Sequence, residues 1–195
     1  MKNKKVYFIV LVSTMAAMAI ALEKVGSLKL TQSLKITFYA IPLIVVGMLH
    51  GPKLGALTGL ISGIVIQLTS EYGINLSSIF FGLAPVVWGF VSGAIFKSLK
   101  DSNSFKEDDS KGKKVSMKVL SYFLTVAIAS IAANLANTLA MYMDSLFIKD
   151  SWYTGTMILM EWPPRLLTMV VTMIPYTFVS FIVCDRLEAF LNKDN

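Results

Sequence analysis

The sequence predicts an all-α fold: a polytopic membrane protein with six transmembrane helices in one bundle and both termini cytoplasmic. Three observations predict it. First, 55% of the 195 residues are hydrophobic and 15% are charged, with a mean hydropathy of +0.65. Water-soluble domains carry about 25% charged residues, so lipid is the solvent this composition suits. Second, the apolar residues gather in six segments, at 6–22, 36–49, 54–69, 74–96, 119–143 and 166–184. Third, with both ends inside, thirteen Lys and Arg fall on the inner connections and five on the outer ones, which is the positive-inside arrangement. The same asymmetry accounts for the net charge of +6 without a nucleic-acid partner.

The first segment follows a basic start, Met1-Lys2-Asn3-Lys4-Lys5, and contains Ala19-Ile20-Ala21. That combination imitates a signal peptide and its cleavage site. It is read as an uncleaved span, because the charge bias of the five later spans requires it. Ala17 and Ala21 form a small-xxx-small pair with Ala16 beside them. Such a patch lets helices approach closely, either within the chain or against a second membrane protein.

A single helix over residues 36–69 would far exceed the ~20 residues that cross the hydrocarbon. His50-Gly51-Pro52-Lys53 divides it into two, since glycine suits a helix end and proline a helix start. Lys53 then marks a membrane face, and His50, the one histidine, caps a helix near the headgroups. Gly47, Gly51, Gly55, Gly59 and Gly63 recur every fourth residue, and the last three share one face of the third helix. Close helix packing is the expected role. Ala132, Ala136 and Ala140 repeat the spacing on the fifth helix.

The connection 97–118 holds seven lysines interrupted by four acids and reads as a solvated cytoplasmic loop. The outer connections, 23–35 and 144–161, are long enough to fold back over the mouth of a bundle as lids or binding loops.

Several chemistries are missing. No GxxxxGKS loop, HExxH or GxSxG occurs, so ATP hydrolysis by a phosphate loop and the common hydrolase sites are not expected. Cys184 is single and cannot pair within the chain. With one His and one Cys, no metal site and no cofactor are expected. No Asp or Glu lies mid-span, where ion-coupled carriers place ionisable groups. A stand-alone secondary carrier and an intramembrane enzyme are therefore both disfavoured, and any transport draws its energy from a partner.

Polar groups collect toward the outer half. Lys35 opens the second helix. Gln67, Glu71 and Asn75 surround the third-to-fourth turn. Asn134 and Thr138 are i, i+4 neighbours, and Trp162 and Arg165 stand at the entry to the sixth helix. Singly, such residues are interface anchors, Trp above all. Together with two long outer loops they outline a pocket for a small, flat, polar ligand.

Leu34-Lys35-Ile36-Thr37-Phe38, then Ile41-Pro42, Gly47, Gly51-Pro52 and Gly55-Ala56, resemble the substrate-binding S components of energy-coupling factor (ECF) vitamin transporters. The pattern is most similar to the folate-type branch. Pantothenate- and pyridoxine-type relatives carry similar glycine-proline tracts. One stretch departs: after Gly63 the chain reads Ile64-Val65-Ile66-Gln67, where many relatives carry an aspartate. The resemblance implies a transmembrane coupling protein and two ATPase subunits as partners, in a prokaryotic plasma membrane. It implies docking on the coupling protein through Ala17 and Ala21. It also implies a vitamin held under the outer loops, with folate the first expectation. Lys35 and Arg165 would then pair with its carboxylates, and Trp152, Tyr153 or Trp162 would stack on its ring.

Overall fold

The computed structural model describes residues 4–29, 35–70, 76–102, 111–148 and 154–193. Its elements are α1 (Lys4–Val25), β1 (Leu28–Lys29), β2 (Lys35–Ile36), α2 (Ala40–His50), α3 (Pro52–Leu68), α4 (Leu76–Phe81), α5 (Leu83–Asp101), α6 (Lys111–Phe147) and α7 (Gly155–Lys193). The strands pair antiparallel, Leu28 opposite Ile36 and Lys29 opposite Lys35. Successive helices run up and down, so one end of the bundle carries this hairpin and the other carries the start of α1 and the last turns of α7.

The turn after α2 forms as its sequence dictates. Gly51 adopts φ +89°, a left-handed conformation, and its N–H bonds to the Gly47 carbonyl at 2.8 Å. Glycine takes that conformation without the clash a Cβ would cause. Pro52 then opens α3, where its missing donor is not needed.

The structure bears on the six expected spans in three places. Among the described residues, four stretches are long and apolar enough to cross a membrane: 5–25, 78–101, 116–147 and 155–188. Helices α2 and α3, at 11 and 17 residues, are shorter. Helix α2 rises about 16 Å against a core of ~30 Å. It is a buried central helix: Leu43, Ile44, Val45 and Val46 are all inaccessible. The fourth segment is broken at Gly82 into α4 and α5. Pro85 lies just beyond the break and cannot donate to the carbonyl four residues earlier. The region 144–161 is mostly helical, because α6 continues to Phe147 and α7 begins at Gly155. Thr154 caps that start: its Oγ1 accepts from the Met157 N–H at 3.4 Å, and its carbonyl accepts from the Ile158 N–H at 3.0 Å. Trp162 and Arg165, expected at a helix entry, therefore lie inside α7, together with Pro163 and Pro164 between them.

The bundle is organised on the α3–α5 contact. A Cβ at Gly55 would overlap the Gly89 carbonyl, one at Gly59 the Pro85 carbonyl, and one at Gly63 the Gly82 carbonyl. Gly93 meets Gly47 and the Gly51–Pro52 turn in the same way. Helix α2 lies against this pair, α1 packs on α2 and α3, and α6 packs on α5 and α7. Hydroxyls buried at these contacts bond to their own helices: Thr58 to the Leu54 carbonyl at 2.8 Å and Ser62 to the Thr58 carbonyl at 2.9 Å. At the terminal end Lys118 ties α6 to α7 through Asp185 at 2.6 Å. There too the Tyr7 hydroxyl and His50 Nε2 lie 3.1 Å apart.

Gly55→Ala should lower stability by about 1–3 kcal/mol, the range for forced overpacking, although alanine is the better helix former. Gly155→Ala, where a Cβ meets nothing within 4 Å, is the matched control. The comparison is the thermal midpoint of the two variants in detergent; equal midpoints would remove the interlock as the organising contact.

Candidate functional site

The hairpin end assembles an ionic and aromatic cluster from α1, β2, α5, α7 and the segment between β2 and α2. Glu23 comes from the last turn of α1 and Lys35 from β2. They form an ion pair at 2.6 Å, with the Lys35 side chain 33% exposed and that of Glu23 only 12%. The pair uses Glu23 Oε1. Glu23 Oε2 is buried with no hydrogen-bond partner among the described residues. Below it stands Tyr176 of α7, whose hydroxyl donates to the Thr37 carbonyl. The Tyr176 ring meets Trp88 edge-on at 5.6 Å and Phe38 at 6.4 Å. Tyr39, at the entry to α2, lies close to Trp88, Tyr176 and Glu23.

The local sequence explains this convergence. Extended residues 35–36 turn into α2 at Tyr39, which brings Lys35, Thr37, Phe38 and Tyr39 to one corner. Lys24 bonds to the Thr69 carbonyl at the end of α3, which fixes the end of α1 and with it Glu23.

The residues expected from sequence are distributed unevenly. Lys35 is in the cluster. Gln67 packs its stem on Gly82 between α3 and the α4–α5 break. Asn134 donates to Met169 Sδ at 3.7 Å, and Thr138 bonds back to the Asn134 carbonyl at 2.9 Å. Arg165 Nε lies 3.8 Å from Glu161, one turn earlier in α7. Arg165, Met169, Met173 and Tyr176 share one face of α7 by their spacing. Yet Arg165 stands eleven residues, about 16 Å along the axis, from Tyr176. Trp162 is 44% exposed, in an outward stripe with Leu159, Leu166 and Val170, the position of an interface anchor. Glu71, Asn75, Trp152 and Tyr153 lie outside the described residues.

Sequence reasoning missed Glu23, Tyr39, Trp88 and Tyr176. Glu23 falls in the 23–35 connection, and the three aromatics lie inside the apolar segments 36–49, 74–96 and 166–184 with no motif around them. Their polar tips were the available signal, since a buried Tyr hydroxyl or Trp N–H needs a partner. Among the described residues no three His, Cys, Asp or Glu side chains gather as metal ligands. A separate groove of about 320 Å³ between α1, α2 and α7 is lined by Met15, Met18, Ile41, Pro42, Val45, Val183 and other apolar side chains. It offers a polar ligand no hydrogen bond.

The family model described as "Thiamine transporter protein (Thia_YuaJ)" matches residues 9–143, from α1 through most of α6. The chain belongs to this thiamine transporter family. The family is of the ECF S-component type, a multi-pass membrane transport family and not an enzyme family. A solved structure described as "Crystal structure of FolT bound with folic acid" is similar in fold. It has a TM-score of 0.60 and 19% identity, and the match covers 92% of this chain and 94% of that one. No curated protein sequence matches the chain. The matched region contains Glu23, Lys35, Tyr39 and Trp88, and Tyr176 lies in α7 beyond it.

Tyr176→Phe removes one buried hydrogen bond and should cost about 1 kcal/mol of stability. Trp162→Phe, on the outward stripe, should stay within ~0.5 kcal/mol of the parent. Denaturation of both variants in detergent checks this; a larger loss at Trp162 would move that ring into the core.

Proposed function

We propose that this chain is the substrate-binding S component of an ECF vitamin transporter and that its ligand is thiamine. The Glu23–aromatic cluster carries the reading. Thiamine joins a permanently cationic thiazolium to an aminopyrimidine. A carboxylate with one buried, unpartnered oxygen suits the cation, and the faces of Tyr39, Trp88 and Tyr176 suit both rings. The family name supports the same vitamin. Folate, the first expectation from sequence, needs free cations for its carboxylates. Lys35 is paired to Glu23 and Arg165 faces Glu161, so the described site favours a positive ligand over a negative one.

Uptake through such a component takes place in a prokaryotic plasma membrane, with energy from two ATPase subunits through a transmembrane coupling protein. The docking face proposed for that protein is on α1. Ala17 and Ala21 are exposed there, while Ala16 and Ala19 are buried against the bundle. Small exposed side chains permit close approach of a second set of helices.

Titration calorimetry on the purified protein tests the ligand. Thiamine should bind saturably and raise the melting temperature, while folate, pantothenate and pyridoxine should not. Binding of folate in preference to thiamine would overturn the assignment. Docking is tested separately. Ala17→Trp and Ala21→Trp should each abolish copurification with the coupling protein and ATPases, yet leave thiamine affinity within about threefold, because the exposed face of α1 takes no part in the cluster. Intact assembly in both variants would return the alanines to a packing role.

A further inference from the structure

The Lys35–Glu23 pair poses a problem for any cationic ligand, because the carboxylate suited to it already holds an ammonium. Glu23 Oε1 is 2.6 Å from Lys35 Nζ, while Oε2 is buried and makes no hydrogen bond among the described residues. A half-satisfied buried carboxylate is an unfavourable arrangement. The Lys35 side chain is 33% exposed, so its ammonium gains solvent at little cost on leaving, whereas Glu23 is fixed in place by α1. The two partners are thus unequal: the acid is built in and the base sits at the rim. Trp88 and Tyr176 are more buried than the acid, at 8% and 4% exposure.

We propose that Glu23 is the counter-ion for the ligand's positive charge and that Lys35 is an internal competitor for it, a specificity-determining pair in which the ligand's cation displaces the lysine. This rests on the proposed function above. The geometry gives selection as well as binding. A neutral ring cannot replace the ammonium on Glu23 and would leave the acid half-satisfied. An anion would be repelled by Glu23 once Lys35 had moved. Only a cation exchanges one charge-assisted contact for another. The pair also gives a sign test, because a lysine that assists binding and one that competes with it respond oppositely to removal.

The test is titration calorimetry on the wild type, Lys35→Ala, Lys35→Arg and Glu23→Gln. The probes are thiamine and its uncharged isostere with carbon in place of the thiazolium nitrogen. Lys35→Ala should tighten thiamine about three- to fivefold, the scale of a partly exposed ion pair, and change the isostere by less than about twofold. Lys35→Arg, which keeps a competing cation, should not tighten it. Glu23→Gln should weaken thiamine at least about tenfold and the isostere far less. If Lys35→Ala weakens thiamine or leaves it unchanged while the wild type binds it, the competition is refuted and the transport reading stands. If neither wild type nor Lys35→Ala binds thiamine, the ligand assignment fails and the inference fails with it. Should Glu23→Gln not fold, the sign of the Lys35→Ala effect alone decides.

Discussion

The contact on which this protein depends is backbone against backbone. Gly55, Gly59 and Gly63 of α3 meet Gly89, Pro85 and Gly82 of the α4–α5 stretch with no room for a methyl group between them. In lipid the hydrophobic effect does not press helices together, and association relies on close packing. Removing side chains from both surfaces maximises the dispersion contacts of the two backbones. Everything else is placed relative to that pair. The Gly51 turn returns α2 along it, α2 fills the centre, and α1 and α7 pack on α2.

This arrangement leaves the two ends of the bundle with different tasks. The terminal end is closed by direct ties between neighbours, such as Lys118 with Asp185 and Tyr7 with His50. The hairpin end is built from elements far apart in sequence. Glu23, Lys35, Trp88 and Tyr176 are brought together from α1, β2, α5 and α7. The aromatic groups there carry polar tips satisfied by backbone or by each other, as with Tyr176 on the Thr37 carbonyl. Trp88 and Tyr176 are buried in the core, at 8% and 4% exposure, so these fixed rings tie the hairpin end to the bundle.

Much of this was legible in the sequence, and the reasons are specific. The left-handed turn at Gly51 follows from Gly-Pro in an apolar tract, because few residue pairs end one helix and start another. The i, i+4 glycines announced close packing because their spacing places them on one helix face. Lys35 was singled out because a lysine at the start of an apolar run is conspicuous. The start of α7 was less legible. The apolar run suggests an entry at Trp162 and Arg165, whereas the helix is capped at Thr154. Two adjacent prolines are tolerated within the helix where the lost hydrogen bonds lie at its exposed, outward stretch.

By itself the sequence determined the solvent, the class of fold, the turn at Gly51 and the face of α3 that packs. These properties are local, fixed by composition, by the 3.6-residue period and by the conformational freedom of single residues. Only the tertiary structure decided which partner those glycines meet, that α2 is a buried core helix, and that Glu23 rather than Arg165 stands beside the aromatic rings. Those outcomes turn on distances between residues tens to more than a hundred positions apart. The sum of packing across the whole bundle sets such distances, and no local pattern encodes them.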